Sequence, residues 1–153
     1  MRLILFFLLN FGALALGGLL IGNPGENEWY NGLNKAPFTP PGWVFGFAWT
    51  TIMIFFSIYM FNIVKSKKIT QHKEIILLYT LQWILNVAWN PVFFRFHYVI
   101  FAQLILITLT LIILYFLIYS NRKQEKLNVF LILPYFLWLL VANGLNSYVW
   151  LFN

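Results

Sequence analysis

Five stretches of this chain carry no Asp, Glu, Lys or Arg: Leu3 to Gly22, Trp43 to Val64, Ile75 to Phe94, Tyr98 to Tyr119, and Val129 to Asn153. Each has the roughly 20 residues that a helix needs to cross the hydrocarbon of a bilayer. In hydrocarbon a single segment satisfies its own backbone N–H and C=O groups only as a helix. The runs therefore predict an all-α fold, a bundle of five transmembrane helices at about residues 3–22, 43–64, 75–94, 98–119 and 129–152. They take up most of the 153 residues, so one integral membrane domain over 1–153 is expected. A composition 61% hydrophobic and only 9% charged falls outside the range of soluble domains.

The charges lie between the runs and give an orientation. If all five segments span, Arg2, Lys65, Lys67, Lys68, Lys73, Arg122, Lys123 and Lys126 share one side, while Lys35 and Arg95 lie on the other. Eight basic residues against two predict a cytoplasmic N-terminus and a C-terminus on the opposite side. The net charge of +6 then reflects contact with anionic headgroups and not nucleic acid. Residues 1–23 have some marks of a secretory signal, with Arg2, an apolar run and the triplet Ala13, Leu14, Ala15. The apolar run continues through Ile21, however, and contains Gly12, Gly17, Gly18 and Gly22, small residues that let helices approach in lipid. A retained first helix is the expectation, with Gly18 and Gly22 as one small-xxx-small pair.

The first connection, residues 23–42, differs from a flexible linker. Pro24, Pro37, Pro40 and Pro41 are mixed with Trp29, Tyr30 and Phe38, and Trp43 follows. Prolines fix φ, and large aromatics beside a membrane bury themselves in protein or in the headgroup zone. The segment reads as an ordered cap over the bundle mouth. The other reading is an interfacial anchor in which Trp29 and Trp43 only set membrane depth. Arg95, Phe96 and His97 form a tight turn that makes the third and fourth helices neighbours. Pro91 frees the Val87 carbonyl and predicts a kink or an early end to helix three.

Tyr79, Gln82, Asn86, Asn90 and Phe93 recur at helical spacing in the third run, within an arc of about 80° on one face. Side-chain amides facing lipid are unfavourable, so this stripe should face other helices or a cavity. It serves either as glue between helices or as the wall of a binding site. Helix five offers a second inward face through Trp138, Ala142, Leu145 and Asn146, with Gly144 permitting close approach. Helix four, apart from Gln103, Thr108 and Thr110, is apolar all round and looks lipid-facing or like a subunit contact.

Several chemistries lack their groups. The spans hold no ionisable carboxylate, Lys or Arg at mid-depth for proton relay or charge-coupled transport. No glycine-rich phosphate loop ends in Lys and Ser or Thr. Cysteine is absent, removing thiolate metal sites and disulfides. His72 and His97 fall in loops on opposite sides, so they share no metal within one subunit. His97 reads either as an ordinary interfacial polar group or as an axial haem ligand. No metal site and no required cofactor are expected. An uncharged aromatic pocket remains, built from Tyr30 and Trp43 of the cap, Phe45 and Trp49 of helix two, Gln82, Asn86 and Trp89 of helix three, and Trp138, Ala142 and Asn146 of helix five. Such walls suit a flat, mostly apolar ligand oriented by a few amides. Porphyrins, polycyclic drug-like molecules and sterols all meet that description.

The motifs Trp29-Tyr30-x-x-Leu33-x-Lys35, Pro40-Pro41-x-Trp43, Trp49-Thr50, Leu85-Asn86-x-x-Trp89-x-x-x-Phe93-Phe94 and Pro134-Tyr135-x-x-Trp138-x-x-x-Ala142-x-x-Leu145-Asn146-x-Tyr148-Val149-Trp150 occur in this order. Together they resemble the tryptophan-rich sensory protein and translocator protein family (TspO, peripheral benzodiazepine receptor). The resemblance implies a five-helix bundle, usually a homodimer, with a pocket for porphyrins and for benzodiazepine-type and isoquinoline carboxamide ligands. It also implies porphyrin or sterol transport, stress sensing, or light- and oxygen-dependent breakdown of protoporphyrin, with porphyrin as ligand or substrate.

On that basis Tyr30, Pro41, Trp43, Phe45, Trp49, Gln82, Asn86, Trp89, Trp138, Ala142, Leu145 and Asn146 are the expected ligand-binding residues. Trp49 and Trp138 are the expected catalytic indoles, stacking on the macrocycle and exchanging an electron or oxygen with it. The expected location is a bacterial plasma membrane, on short termini and no presequence. Two features depart from the family pattern. Lys35 is followed by Ala36 before Pro37, and no basic residue follows Leu145 and Tyr148, which argues against a specialised cholesterol role. The Leu/Val, Tyr, Lys/Arg pattern does occur at Leu117, Tyr119 and Arg122, where chance accounts for it.

Overall fold

Long charge-free runs become long helices, and in the computed structural model, which describes residues 2–65 and 73–153, they do so within three residues of the expected bounds. The helices are α1 (Arg2–Ile21), α2 (Glu28–Gly32), α3 (Gly42–Val64), α4 (Lys73–Phe94), α5 (Val99–Arg122) and α6 (Lys126–Phe152), with a 3-10 turn at Pro24–Glu26. All but α2 are long and apolar enough to cross a membrane. Lys67, Lys68 and His72, which bear on the expected orientation and metal chemistry, lie outside the described residues.

The early end expected at Pro91 does not occur. Helix α4 runs on through it to Phe94, and the Pro91 carbonyl accepts from the N–H groups of Arg95 and Phe96 at 3.0 and 2.9 Å. The turn then closes with the Tyr98 N–H donating to the Val92 carbonyl at 2.9 Å, and His97 takes φ 59°. A left-handed backbone at a non-glycine residue reverses the chain sharply, and this sets α5 antiparallel beside α4.

Helix α1 packs on α3 and α4, α4 on α5, α5 on α6, and α6 on α3. The five long helices thus close a ring in the order α1, α3, α6, α5, α4. Helix α5 is not lipid-facing all round. It buries Ala102, Leu106, Leu109, Ile112, Ile113, Phe116 and Ser120 between its neighbours, while Phe101, Leu104 and Leu111 stay exposed on the other side.

The densest packing lies in the half of the bundle farthest from the cap. Phe56, Tyr59, Tyr79, Phe116, Ile132 and Tyr135 belong to one buried cluster there, with Phe56 edge-on to Tyr135 at 5.4 Å and stacked on Tyr59 at 6.0 Å. The Tyr59 hydroxyl donates to the Phe116 carbonyl at 3.0 Å, so its polar tip is satisfied. Toward the cap the packing thins. Helix α3 buries nothing before Ile52, and the cap end holds only a small second cluster of Phe93, Ala102 and Val149.

Candidate ligand site

The polar stripe of α4 does face inward. Tyr79, Gln82, Asn86 and Phe93 are buried and Asn90 is half-buried. Its two halves behave differently. In the lower half, the Tyr79 hydroxyl donates to Asn10 Oδ1 at 2.8 Å and Asn10 Nδ2 donates to Ser57 Oγ at 2.9 Å, which joins α4, α1 and α3. Gln82 Nε2 donates to the Tyr135 hydroxyl of α6 at 2.7 Å. Those contacts are glue.

From Gln82 toward the cap the pairing is incomplete. Asn86 is 8% exposed and its carbonyl accepts from Asn90 Nδ2 at 3.2 Å. Gln82 Oε1, Trp89 Nε1 and Asn146 Oδ1 are buried without a hydrogen-bond partner among the described residues. Most buried polar atoms in folded proteins are paired, and an unpaired one is unfavourable by about 1–3 kcal/mol. They lie at different levels of α4 and α6, and at each one water or a ligand would complete the hydrogen bonding.

The cap is ordered by its own side chains. Asn27 Oδ1 accepts from the Tyr30 N–H at 2.9 Å and starts α2, while Asn27 Nδ2 donates to the Phe94 carbonyl at 3.1 Å. Tyr30 lies against Phe94 at 5.1 Å and Phe93 at 6.3 Å, with Lys35 Nζ 4.3 Å from its ring centroid. Burial raises the Tyr30 pKa, so its phenol stays neutral and can donate. Trp29 stacks on His97 at 4.1 Å. Phe38 lies over Gly144, where an added Cβ would stand 3.7 Å from its ring.

Of the remaining expected residues, Phe45 and Trp138 meet edge to face at 5.3 Å, and Trp49 meets Tyr135 likewise at 5.9 Å. Trp49, Trp89, Trp138 and Ala142 all pack against the main cluster while keeping part of their surface free. Leu145 is half-buried on the same helix. Pro41 is the N-cap of α3 and is exposed. Trp43 is 72% exposed. It sits in the first turn of α3, above the level at which that helix begins to bury side chains.

Trp138 also borders a groove of about 260 Å³ between α3 and α6, with Phe47, Thr51, Pro134 and Val141. A cavity of about 410 Å³ at the cap end runs between Trp29, His97, Phe101 and Trp150.

Three polar residues escaped the sequence reading as site elements: Asn10, Gln103 and Asn143. Asn10 is the lone amide within α1 and is 2% exposed, which was the available signal. Gln103 Nε2 donates to Asn143 Oδ1 at 2.8 Å, and Asn146 Nδ2 donates to Gln103 Oε1 at 2.9 Å. Asn146 thus meets α5 through its nitrogen, leaving only its oxygen free.

Comparison with known proteins agrees with this architecture. Protein CrtK of Rhodobacter capsulatus is 30% identical over 153 residues, covering 96% of this chain and 92% of that protein. The tryptophan-rich sensory protein of Cereibacter sphaeroides is 30% identical over 144 residues, covering 94% and 87%. The translocator protein of Homo sapiens is 31% identical over 131 residues, covering 80% and 73%. Five membrane-length apolar helices and these bacterial relatives make this an integral membrane protein. Residues 4–151 match the TspO/MBR family from the first helix to the last, and the chain belongs to that family.

Proposed function

We propose that this protein is a membrane receptor for porphyrins and for benzodiazepine-type and isoquinoline carboxamide ligands, held beneath the cap between α4, α6 and α3. The observation that carries the reading is the set of polar atoms Gln82 Oε1, Trp89 Nε1 and Asn146 Oδ1, buried in the bundle without a partner among the described residues. A flat conjugated ligand would bury its faces against Phe45, Trp49 and Trp138 and meet those atoms at its edge. Lys35 is the one basic residue of the cap, a counter-charge for porphyrin carboxylates at the mouth. The same reading takes the protein as a homodimer in a bacterial plasma membrane.

Light- and oxygen-dependent degradation of protoporphyrin is the activity proposed for this site, with Trp49 and Trp138 as the stacking indoles. Exchange of porphyrin-like or sterol-like molecules with the bilayer is the second reading, favoured by the lipid-side groove that Trp138 borders. Illumination of protoporphyrin with the purified protein in air separates the two. A modified product that Trp138→Phe abolishes supports catalysis, whereas flux of unchanged protoporphyrin across proteoliposomes supports exchange.

A further inference from the structure

A trough runs along the outer seam of α4 and α5. Its two parts, of about 480 and 460 Å³, meet at Thr108. Leu78 and Ile112, which also pack in the main cluster, line the first part. Leu77 and Leu111 line it too, and they are 69% and 60% exposed. The second part continues past Leu85 and Leu104 to Tyr98 at the cap end. From Glu74 to Val92 the trough follows about 18 residues of α4, or about 27 Å, close to the thickness of a bilayer's hydrocarbon. The Thr108 hydroxyl donates to the Leu104 carbonyl at 2.8 Å, so its proton is not offered to the trough. Such a surface suits acyl chains.

The end away from the cap is charged. Glu74, in the first turn of α4, lines the trough and is exposed. Its carboxylate makes no ion pair or hydrogen bond among the described residues. Across the trough on α5 stands Tyr115, whose hydroxyl also has no partner there. Tyr115, Tyr119 and Lys123 follow one another at four-residue steps and form a ladder toward the end of α5. The two rings stack at 6.3 Å, and Lys123 Nζ donates to the Tyr119 hydroxyl at 2.6 Å while lying 4.3 Å from that ring's centroid. The Tyr119 proton stays available. One wall of the trough thus carries an acceptor charge, and the other leads to two phenols and an ammonium.

We propose that this trough is a binding site for an aminophospholipid of the leaflet on that side. Glu74 accepts from the ethanolamine ammonium, Tyr115, Tyr119 and Lys123 meet the phosphate, and an acyl chain lies along Leu77, Leu111 and Thr108. The helix face involved is the one opposite the inward amides Gln82 and Asn86, so the site is separate from the ligand chemistry above. An apolar face of a second copy would leave Glu74 and Lys123 without counter-charges, whereas this lipid supplies both.

The test is native mass spectrometry of the full-length protein, titrated with phosphatidylethanolamine or phosphatidylcholine of identical acyl chains. Choline has no N–H to give a carboxylate, so the wild type should bind the first ethanolamine lipid about threefold to tenfold more tightly. Glu74→Gln, an exposed substitution, should bring that ratio to about one. Lys123→Leu should weaken both lipids and keep the ratio, and Leu111→Trp should weaken both by filling the trough. Unchanged helicity and Tm identify folded variants. Equal affinities in the wild type, or a preference that survives in Glu74→Gln, overturn the assignment. Loss of a dimer in Leu111→Trp with lipid affinity unchanged makes the trough a contact between copies and overturns the lipid site.

Discussion

Asn34 and Asn153, 119 positions apart, hold each other through two hydrogen bonds. The Asn34 N–H donates to Asn153 Oδ1 at 2.7 Å, and Asn153 Nδ2 donates to the Asn34 carbonyl at 3.2 Å. With Asn27 tied to the Phe94 carbonyl, the cap is fastened at one end to α4 and at the other to α6. Those are the two helices that carry the unpartnered polar atoms.

Asn153→Ala should therefore loosen the cap without unfolding the bundle. A net hydrogen bond contributes about 1 kcal/mol, or about fivefold in a local opening equilibrium. Amide hydrogen exchange over residues 27–35 should accelerate by about that factor, with α3 to α5 unchanged. Equal protection in both proteins would show that the pair fastens nothing.

Gly17 is where α1 and α4 approach. A Cβ there would stand 2.5 Å from Asn90 Nδ2, forcing Asn90 off the Asn86 carbonyl, whereas Gly12 and Gly18 have nothing within 4 Å. Gly17→Ala should destabilise the fold by about 1–3 kcal/mol, and Gly18→Ala should be near neutral. Thermal unfolding in detergent distinguishes them, and equal losses at both positions would contradict the packing described.

Asn10→Leu should separate glue from ligand chemistry. It removes the acceptor of Tyr79 and the donor to Ser57 in the lower half of the bundle. Interhelical hydrogen bonds in membranes contribute about 0.6 kcal/mol each on average, so a loss of roughly 1 kcal/mol is expected with porphyrin affinity retained. A large affinity loss in a folded variant would move the site down the bundle.

Much of this was legible in advance because lipid imposes simple rules. Charge-free runs had to be helices, and the α4 amides had to turn inward, as Gln82 and Asn86 do. Periodicity gives a face but not a neighbour. Gly18 and Gly22 looked like the packing pair, yet α1 turns Ala13 and Gly17 to the interior. Asn146 was legible as inward, but its orientation depends on Gln103 and Asn143, whose contact across two helices no local spacing reveals. Trp43 was read as part of the cap, with an anchor as the other reading, and composition could not show that it stands 72% exposed in the first turn of α3.

The orientation carries its own test. With basic residues concentrated on one side and five spans, a reporter fused after Asn153 should be active only outside the cytoplasm. Cytoplasmic activity would overturn the topology.

The central claim is that the ligand binds beneath the cap, among the amides and indoles of α3, α4 and α6. Its most direct test is protoporphyrin affinity of the triple variant Trp49→Phe, Trp138→Phe, Asn86→Leu, measured by absorbance titration in detergent. The account predicts a loss of at least about tenfold relative to wild type at unchanged helicity; an affinity equal to wild type would contradict it.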